Sequence, residues 1–261
     1  MVRSTGNRNN GNRKSTMYEK LKSTAKALLP KSFLQKNESF FRSIIALKYR
    51  GDKYQCNICG FQLSQFVQLS NINEKLCPNC GCLPRTRRLY QLLESEIGLN
   101  GKDILHFSPP KGFAKKIKSS HPAHYITTDY VKEFEADKQL DITNIAEPDN
   151  SFDLIICYHV LEHIEADEKA MAELFRILKT QGQVLIQTPF KGGEIYEDYN
   201  ITSPEDRLKH FGQDDHVRIY SVEGLATRLK KAGFTVDVRR FEESEENKLG
   251  LKDGEVVLIC S

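Results

Sequence analysis

Four cysteines constrain this chain more than any other feature. Cys56 and Cys59 stand two residues apart, Cys77 and Cys80 repeat that spacing after 17 intervening residues, and Gly60 and Gly81 follow the two pairs. Each pair reads as a tight knuckle, with glycine where the turn is sharpest, and two knuckles bring four thiolates around one Zn2+. A module this small has little core of its own and depends on the metal for stability. The expected metal ligands are therefore Cys56, Cys59, Cys77 and Cys80, in a zinc ribbon over residues 54–84. Four thiolates leave no open coordination position, so the expected role is structural. Cys82 is either a surplus thiol or a substitute ligand, and Cys157 and Cys260, in apolar runs, read as buried small hydrophobes.

The ribbon occupies a small part of 261 residues, and the remainder carries enough hydrophobic side chains (39% of the chain, with 14 Phe and 10 Tyr) to bury a sizeable core. Disorder throughout is excluded. No uncharged apolar run approaches the roughly 18 residues of a membrane span, and the start is polar and basic, so the expected location is the cytoplasm. A net charge of +3 implies no chain-wide attraction to nucleic acid. The positive charge is nevertheless concentrated before the ribbon, where Lys and Arg greatly outnumber Glu19, Glu38 and Asp52. Residues 1–15, rich in Asn, Arg, Gly and Ser, read as a disordered leader. Residues 16–53 read as short basic amphipathic helices, marked by Leu21, Ala25 and Leu28, then by Phe40, Phe41, Ile44, Ile45 and Leu47, with Pro30 between them. Such helices either pack on their own domain or lie on an anionic membrane surface, and peripheral membrane contact through residues 16–53 is one expectation.

Beyond the ribbon, over residues 85–261, helical and strand-like periodicities alternate. Leu89, Leu93 and Ile97 mark a helix ended by Gly98; strands are expected at residues 103–107, 124–128, near Leu140, and at 152–157 and 183–188. A strong helix is expected with Asp167 as N-cap, Met171, Leu174, Phe175 and Leu178 on one face, and Gly182 closing it. A helix over 221–232 precedes two last strands, 234–239 and 255–260. This order predicts an α/β fold: a Rossmann-like, doubly wound, mostly parallel sheet with a C-terminal antiparallel hairpin, preceded by the small ribbon.

In such a sheet the ligand lies beyond the carboxyl ends of the strands, at the switch point. The residues to interrogate are the turn from His106 through Gly112, then Asp129, Asp141 with Ile142, and the stretch from Tyr158 to His163. A carboxylate such as Asp129 at a strand end suits the vicinal hydroxyls of a ribose, although a turn or N-cap role is equally open to it.

At the fourth of these places the chain resembles a known family. Residues 151–164, SFDLIICYHVLEHI, followed by AMAELFRILKTQG over 170–182, resemble the class I S-adenosylmethionine-dependent methyltransferases. More narrowly, the chain is similar to a bacterial subgroup with a Cys-Pro-x-Cys-Gly ribbon before the catalytic domain and a run like FGQDDHVRIY, here residues 211–220. The likeness extends over about residues 50–260. It implies S-adenosyl-L-methionine as cofactor, held by His106, Phe107, Ser108 and Gly112, with Asp129 on the ribose, Asp141 and Ile142 at the adenine, and Tyr158 and His159 at the methionine end. One departure concerns the first turn, where the family's glycines let backbone N–H groups approach the cofactor; here Pro109 and Pro110 intervene and only Gly112 remains.

Methyl transfer to a hydroxyl needs alignment and a base, and imidazoles suit proton acceptance. His216, beside Asp215, is the expected base, with His159 as a further catalytic residue. His163 either joins them or caps the next helix. Tyr196, Glu197 and Asp198 either contact the acceptor or form a solvated loop. The expected acceptor is a small molecule, a glycan or a lipid-linked glycan, because Asp214, Asp215, Glu197 and Asp198 repel a phosphate backbone. Two alternatives stay open: an RNA methyltransferase whose ribbon and Arg85, Arg87 and Arg88 hold nucleic acid, and a non-catalytic zinc-ribbon interaction protein.

Overall fold

The structure is a computed structural model that describes Tyr18, Ser23, Pro30, Phe33 and residues 37–69, 74–130, 136–242 and 245–261. The expected leader and the helix marked by Leu21, Ala25 and Leu28 lie outside the described residues. No described helix is long and apolar enough to cross a membrane. The chain forms two compact units, one of residues 1–92 with 244–252, the other of residues 93–243 with 253–261.

The first unit contains α1 (Glu38–Ala46), β1 (Arg50–Gln55), β2 (Gln62–Leu63), β3 (Val67–Gln68), β4 (Lys75–Leu76) and α2 (Pro84–Leu92). α1 leaves Phe40 and Ile44 exposed, and Leu47 just after it is exposed as well. β1 pairs antiparallel with β2, and β3 with β4. The two cysteine knuckles repeat one hydrogen-bond pattern. Gly60 N–H donates to the Cys56 carbonyl (2.8 Å) and Gly81 N–H to that of Cys77 (2.9 Å), while the amides of Cys56 and Cys77 reach the carbonyls of Phe61 and Cys82, each at 3.0 Å. Both glycines lie at positive φ, +71° and +78°, where a side chain would be strained.

Arg87 is the centre of this unit. Fully buried, it donates to the carbonyls of Cys82 (2.7 Å), Lys75 (2.8 Å), Leu249 (2.6 Å) and Gly250 (2.9 Å), and its guanidinium lies 4.1 Å from the centroid of Phe66. Its five donors in a rigid fork explain how one side chain can join the cysteine-bearing segment to Leu249 and Gly250. Arg88 is also buried. Two of the three arginines expected to hold nucleic acid are thus interior.

The second unit contains β5 (Asp103–Phe107), α3 (Lys111–Lys118), β6 (His124–Thr128), β7 (Phe152–Tyr158), α4 (Asp167–Ile177), β8 (Leu178–Gln187), β9 (Tyr196–Glu197), α5 (Pro204–Phe211), β10 (Arg218–Ile219), α6 (Val222–Lys231), β11 (Val236–Phe241) and β12 (Glu255–Cys260). Its six-stranded sheet runs β11-β12-β8-β7-β5-β6. β6, β5, β7 and β8 are parallel, and β12 and β11 close the edge antiparallel, as the periodicity implies. The central strand β7 is covered on both faces, so Leu154, Ile155, Ile156 and Cys157 form an unbroken apolar run. Ala170, Met171, Leu174 and Ile177 are the buried residues of α4 that join the core.

Three local expectations are corrected. Ala166, not Asp167, is the N-cap of α4; Asp167 is buried in its first turn, taken by Tyr220 and Arg228. Gly182 does not close that helix but lies within β8, because Leu178 already pairs with Phe152 of β7 and draws the chain into the sheet. Near Leu140 the described residues form only isolated bridges, Thr128 with Lys138 and Asp141 with Asn144. At α6 the boundary signals hold: the Ser221 hydroxyl accepts from Gly224 N–H at 3.1 Å, and Gly233 follows at φ +113°.

Candidate functional site

The strand order reverses at β5. From there the chain winds outward through β6 and, in the opposite direction, through β7 and β8, so a crevice opens beyond the carboxyl ends of β5 and β7. A cavity of about 280 Å3 occupies it. Its walls are Phe107 ending β5 and Ser108 after it, Thr128 ending β6, Leu140 through Thr143, and residues after β7 that include Val160, His163 and Glu165. Ser108 adopts φ +45°, an uncommon conformation for a residue with a side chain, and is held there by its N–H on the Thr128 carbonyl (2.8 Å). Its hydroxyl donates to the buried Asp129 carboxylate at 3.5 Å. Asp141 faces the cavity, with one oxygen accepting from both the N–H and the hydroxyl of Thr143 (2.8 Å each), which lowers its pKa.

Four of the expected cofactor residues line this cavity: Phe107, Ser108, Asp141 and Ile142. Asp129 stands behind Ser108. Gly112 lies in α3, and Tyr158 and His159 lie where β7 ends, away from the cavity wall. His106 is in the core, its Nδ1 2.9 Å from the Tyr125 hydroxyl and its ring edge-on to Phe113; burial pushes its pKa down to about 3, so it is neutral.

The opposite wall backs onto a cluster of imidazoles and carboxylates. His159, at φ +54°, meets Glu162 Oε1 through Nδ1 at 3.0 Å. His163 Nδ1 lies 3.2 Å from Asp215 Oδ2, and its ring packs edge-on against that of His216, with centroids 4.7 Å apart. Glu162 and His216 are buried. Burial alone would raise the Glu162 pKa, but the hydrogen bond and charge of His159 outweigh it and hold the carboxyl below its usual range. Burial also lowers the His216 pKa, leaving a neutral ring. His163 belongs to the short turn Leu161–His163 and does not cap α4.

Arg218 holds this cluster in place. Buried completely, it donates to the carbonyls of Leu161 (3.3 Å), Ile164 and Glu165 (2.8 Å) and to the Glu197 carboxylate (2.9 Å). Val217 N–H adds a bond to the Glu162 carbonyl (2.9 Å), which sets His216 beside Glu162. Glu197 is therefore engaged by Arg218 and Arg228, and Tyr196 and Asp198 are engaged by His210 and Asn200. Sequence reasoning missed Glu162 and Arg218. The run at residues 211–220 stands out in the sequence, but nothing local shows that its Arg and Tyr turn inward while its His meets a residue 54 positions earlier.

In the first unit, Cys56, Cys59, Cys77 and Cys80 are gathered so that their sulfurs lie within 4.8 Å of one another. Cys56 Sγ is 3.6 Å from Cys80 Sγ, and Cys59 Sγ is 3.8 Å from Cys77 Sγ. A tetrahedral Zn2+ with bonds of about 2.3 Å requires sulfurs about 3.8 Å apart, so the arrangement fits the ion. Cys82, buried beside it, is not one of the four.

A family described as a methyltransferase domain matches residues 83–238, more than half of the chain. An uncharacterized protein of Methanocaldococcus jannaschii is 32% identical over 103 residues, 37% of this chain and 45% of its own; the chain thus spans under half the length of that relative. Among solved structures, an S-adenosylmethionine-dependent methyltransferase from Mesorhizobium loti is similar at 13% identity and TM-score 0.49, over 66% of this chain and 95% of that one. The YcgJ protein of Bacillus subtilis is similar at 17% identity and TM-score 0.46, over 62% and 75%. On the match across residues 83–238, the chain belongs to the methyltransferase-domain family.

Proposed function

We propose that this protein transfers a methyl group from S-adenosyl-L-methionine to a hydroxyl-bearing small molecule or glycan. The observation that carries the reading is the cavity at the switch point, with Ser108, Asp141 and Ile142 on one side and the imidazole of His163 on the other. The bound cofactor supplies a methyl group already activated on a sulfonium centre. The chain's residues then have to bind it, orient the acceptor and exclude water. In this reading Asp129, buried just after β6, accepts hydrogen bonds from the ribose hydroxyls, and Asp141 and Ile142 border the base. Proton removal from the acceptor hydroxyl falls to the cluster of His159, His163, Asp215 and His216, in which His163 reaches the cavity. Zinc on Cys56, Cys59, Cys77 and Cys80 is structural in this reading, since four thiolates fill its coordination.

A small acceptor is favoured over RNA because Arg87 and Arg88 are buried, while Glu165, Asp214 and Asp215, near His163, are acidic and exposed. Calorimetry with S-adenosylmethionine and S-adenosylhomocysteine tests the reading on wild type and Asp129→Ala. Binding to wild type, at least tenfold weaker in the variant with zinc content unchanged, is expected. Absence of heat with zinc-loaded wild type discards it in favour of a non-catalytic zinc-ribbon protein.

A further inference from the structure

The cluster behind His163 contains polar atoms that the protein itself does not satisfy. Among the described residues, Glu162 Oε2, His159 Nε2 and His216 Nε2 have no hydrogen-bond partner, and each is shielded from solvent. Glu162 is 1% exposed and His216 3%. Leaving a buried polar atom unsatisfied is destabilising, and more so for a charged group. Two of these atoms, on Glu162 and His216, belong to one cluster of metal-ligating side chains and call for a ligand there.

The chemistry of the set identifies the ligand class. Glu162, His163 and His216 each present one donor atom, and the three donors lie within 4.8 Å of one another. Two imidazoles and a carboxylate suit a divalent cation of borderline hardness, such as Zn2+, Mn2+, Fe2+ or Co2+. The surroundings resemble the support such sites receive: Asp215 engages Nδ1 of His163 at 3.2 Å and His159 engages the other oxygen of Glu162 at 3.0 Å. Arg218 pins the turn that carries two of the three donors.

We propose that Glu162, His163 and His216 form a second metal site, distinct from the four cysteines, that binds one divalent cation. Three protein ligands leave a coordination position open, unlike the filled tetrahedron of the ribbon. Because His163 also lines the cavity, that position is offered to an oxygen of the acceptor. This last clause rests on the methyltransferase reading, whereas the metal site does not; with a cation bound, His163 and His216 act as ligands, and the cation replaces their part in proton removal by making the acceptor hydroxyl more acidic.

Mn2+ is the discriminating probe, because thiolate sites select softer ions. The full-length protein, carrying one Zn2+ per chain and freed of excess zinc so that the weaker site is empty, is titrated with Mn2+ and the free ion followed by electron paramagnetic resonance. One Mn2+ per chain is expected in wild type and in Asp129→Ala. His163→Ala and Glu162→Gln are expected to abolish stoichiometric binding, and Asp215→Asn to weaken it about tenfold or more. Circular dichroism identifies any variant that fails to fold; His163, being partly exposed, is the one expected to tolerate replacement. Absence of Mn2+ binding in wild type, or equal binding in wild type and a folded His163→Ala, overturns the proposal and leaves water as the occupant. Cofactor calorimetry on the same samples separates the two readings: Mn2+ binding without cofactor heat sinks the methyltransferase reading alone, and cofactor heat without Mn2+ binding sinks the metal site alone.

Discussion

At the scale of single residues, burial decides what each polar group contributes. His106 is neutral because the sheet encloses it, with a folded pKa of about 3 against an ordinary 6.5. Between those values the unfolded chain takes up a proton that the folded chain refuses. Stability therefore falls as pH drops through this window, by up to about 1.4 kcal/mol per pH unit from this group. Urea unfolding of His106→Gln between about pH 6.5 and pH 4 should show a shallower loss than wild type, and parallel limbs would contradict the assignment. Arg218 shows the opposite case, a buried charge compensated by Glu197 and three carbonyls. Truncation in Arg218→Ala leaves Glu197 and these carbonyls short of donors, and a loss of about 3–5 kcal/mol is expected in denaturant melts.

At the scale of elements, boundaries follow from which backbone group finds a partner first. Ser221 caps α6 with its own hydroxyl, and Ser221→Ala should cost about 1 kcal/mol, read as a lowered melting temperature. The ribbon and residues 245–252 share Arg87, so their order is coupled. Gly250 makes that approach close: at φ +60°, an added Cβ would meet Phe66 at 2.3 Å. Gly250→Ala is thus expected to raise hydrogen exchange at the Gly250 and Leu251 amides, whose acceptors are the backbone and side-chain oxygens of Asn247. Chelation of zinc should do the same through the ribbon side of Arg87, since Cys82 and Lys75 supply two of its carbonyls. Unchanged exchange after chelation would show that the cysteines hold no structural metal.

At the scale of the whole molecule, ligand binding to the folded state alone should appear as stability. S-adenosylhomocysteine at about 100 times its dissociation constant is expected to add about 2.7 kcal/mol, measured as a raised melting temperature that Asp129→Ala diminishes. Much of this architecture is legible in the sequence, because it depends on spacing and period. The paired cysteines gather as their spacing implies, the alternation of apolar runs identifies the parallel sheet and its closing hairpin, and the end of β5 locates Ser108 at the cavity, whereas Asp141 and Ile142 reach it without a strand of their own. The sequence by itself thus determined the main sheet strands, their order and the crevice-forming edge of the sheet, since hydrophobic periodicity and topology are carried by neighbours along the chain. Tertiary structure alone decided which polar residues are enclosed: that Arg87 and Arg218 turn inward onto carbonyls, that His106 is core, and that Glu162 faces His216 from 54 residues away. Those outcomes depend on desolvation and on partners brought together by folding, and neither quantity is a property of a short stretch of sequence.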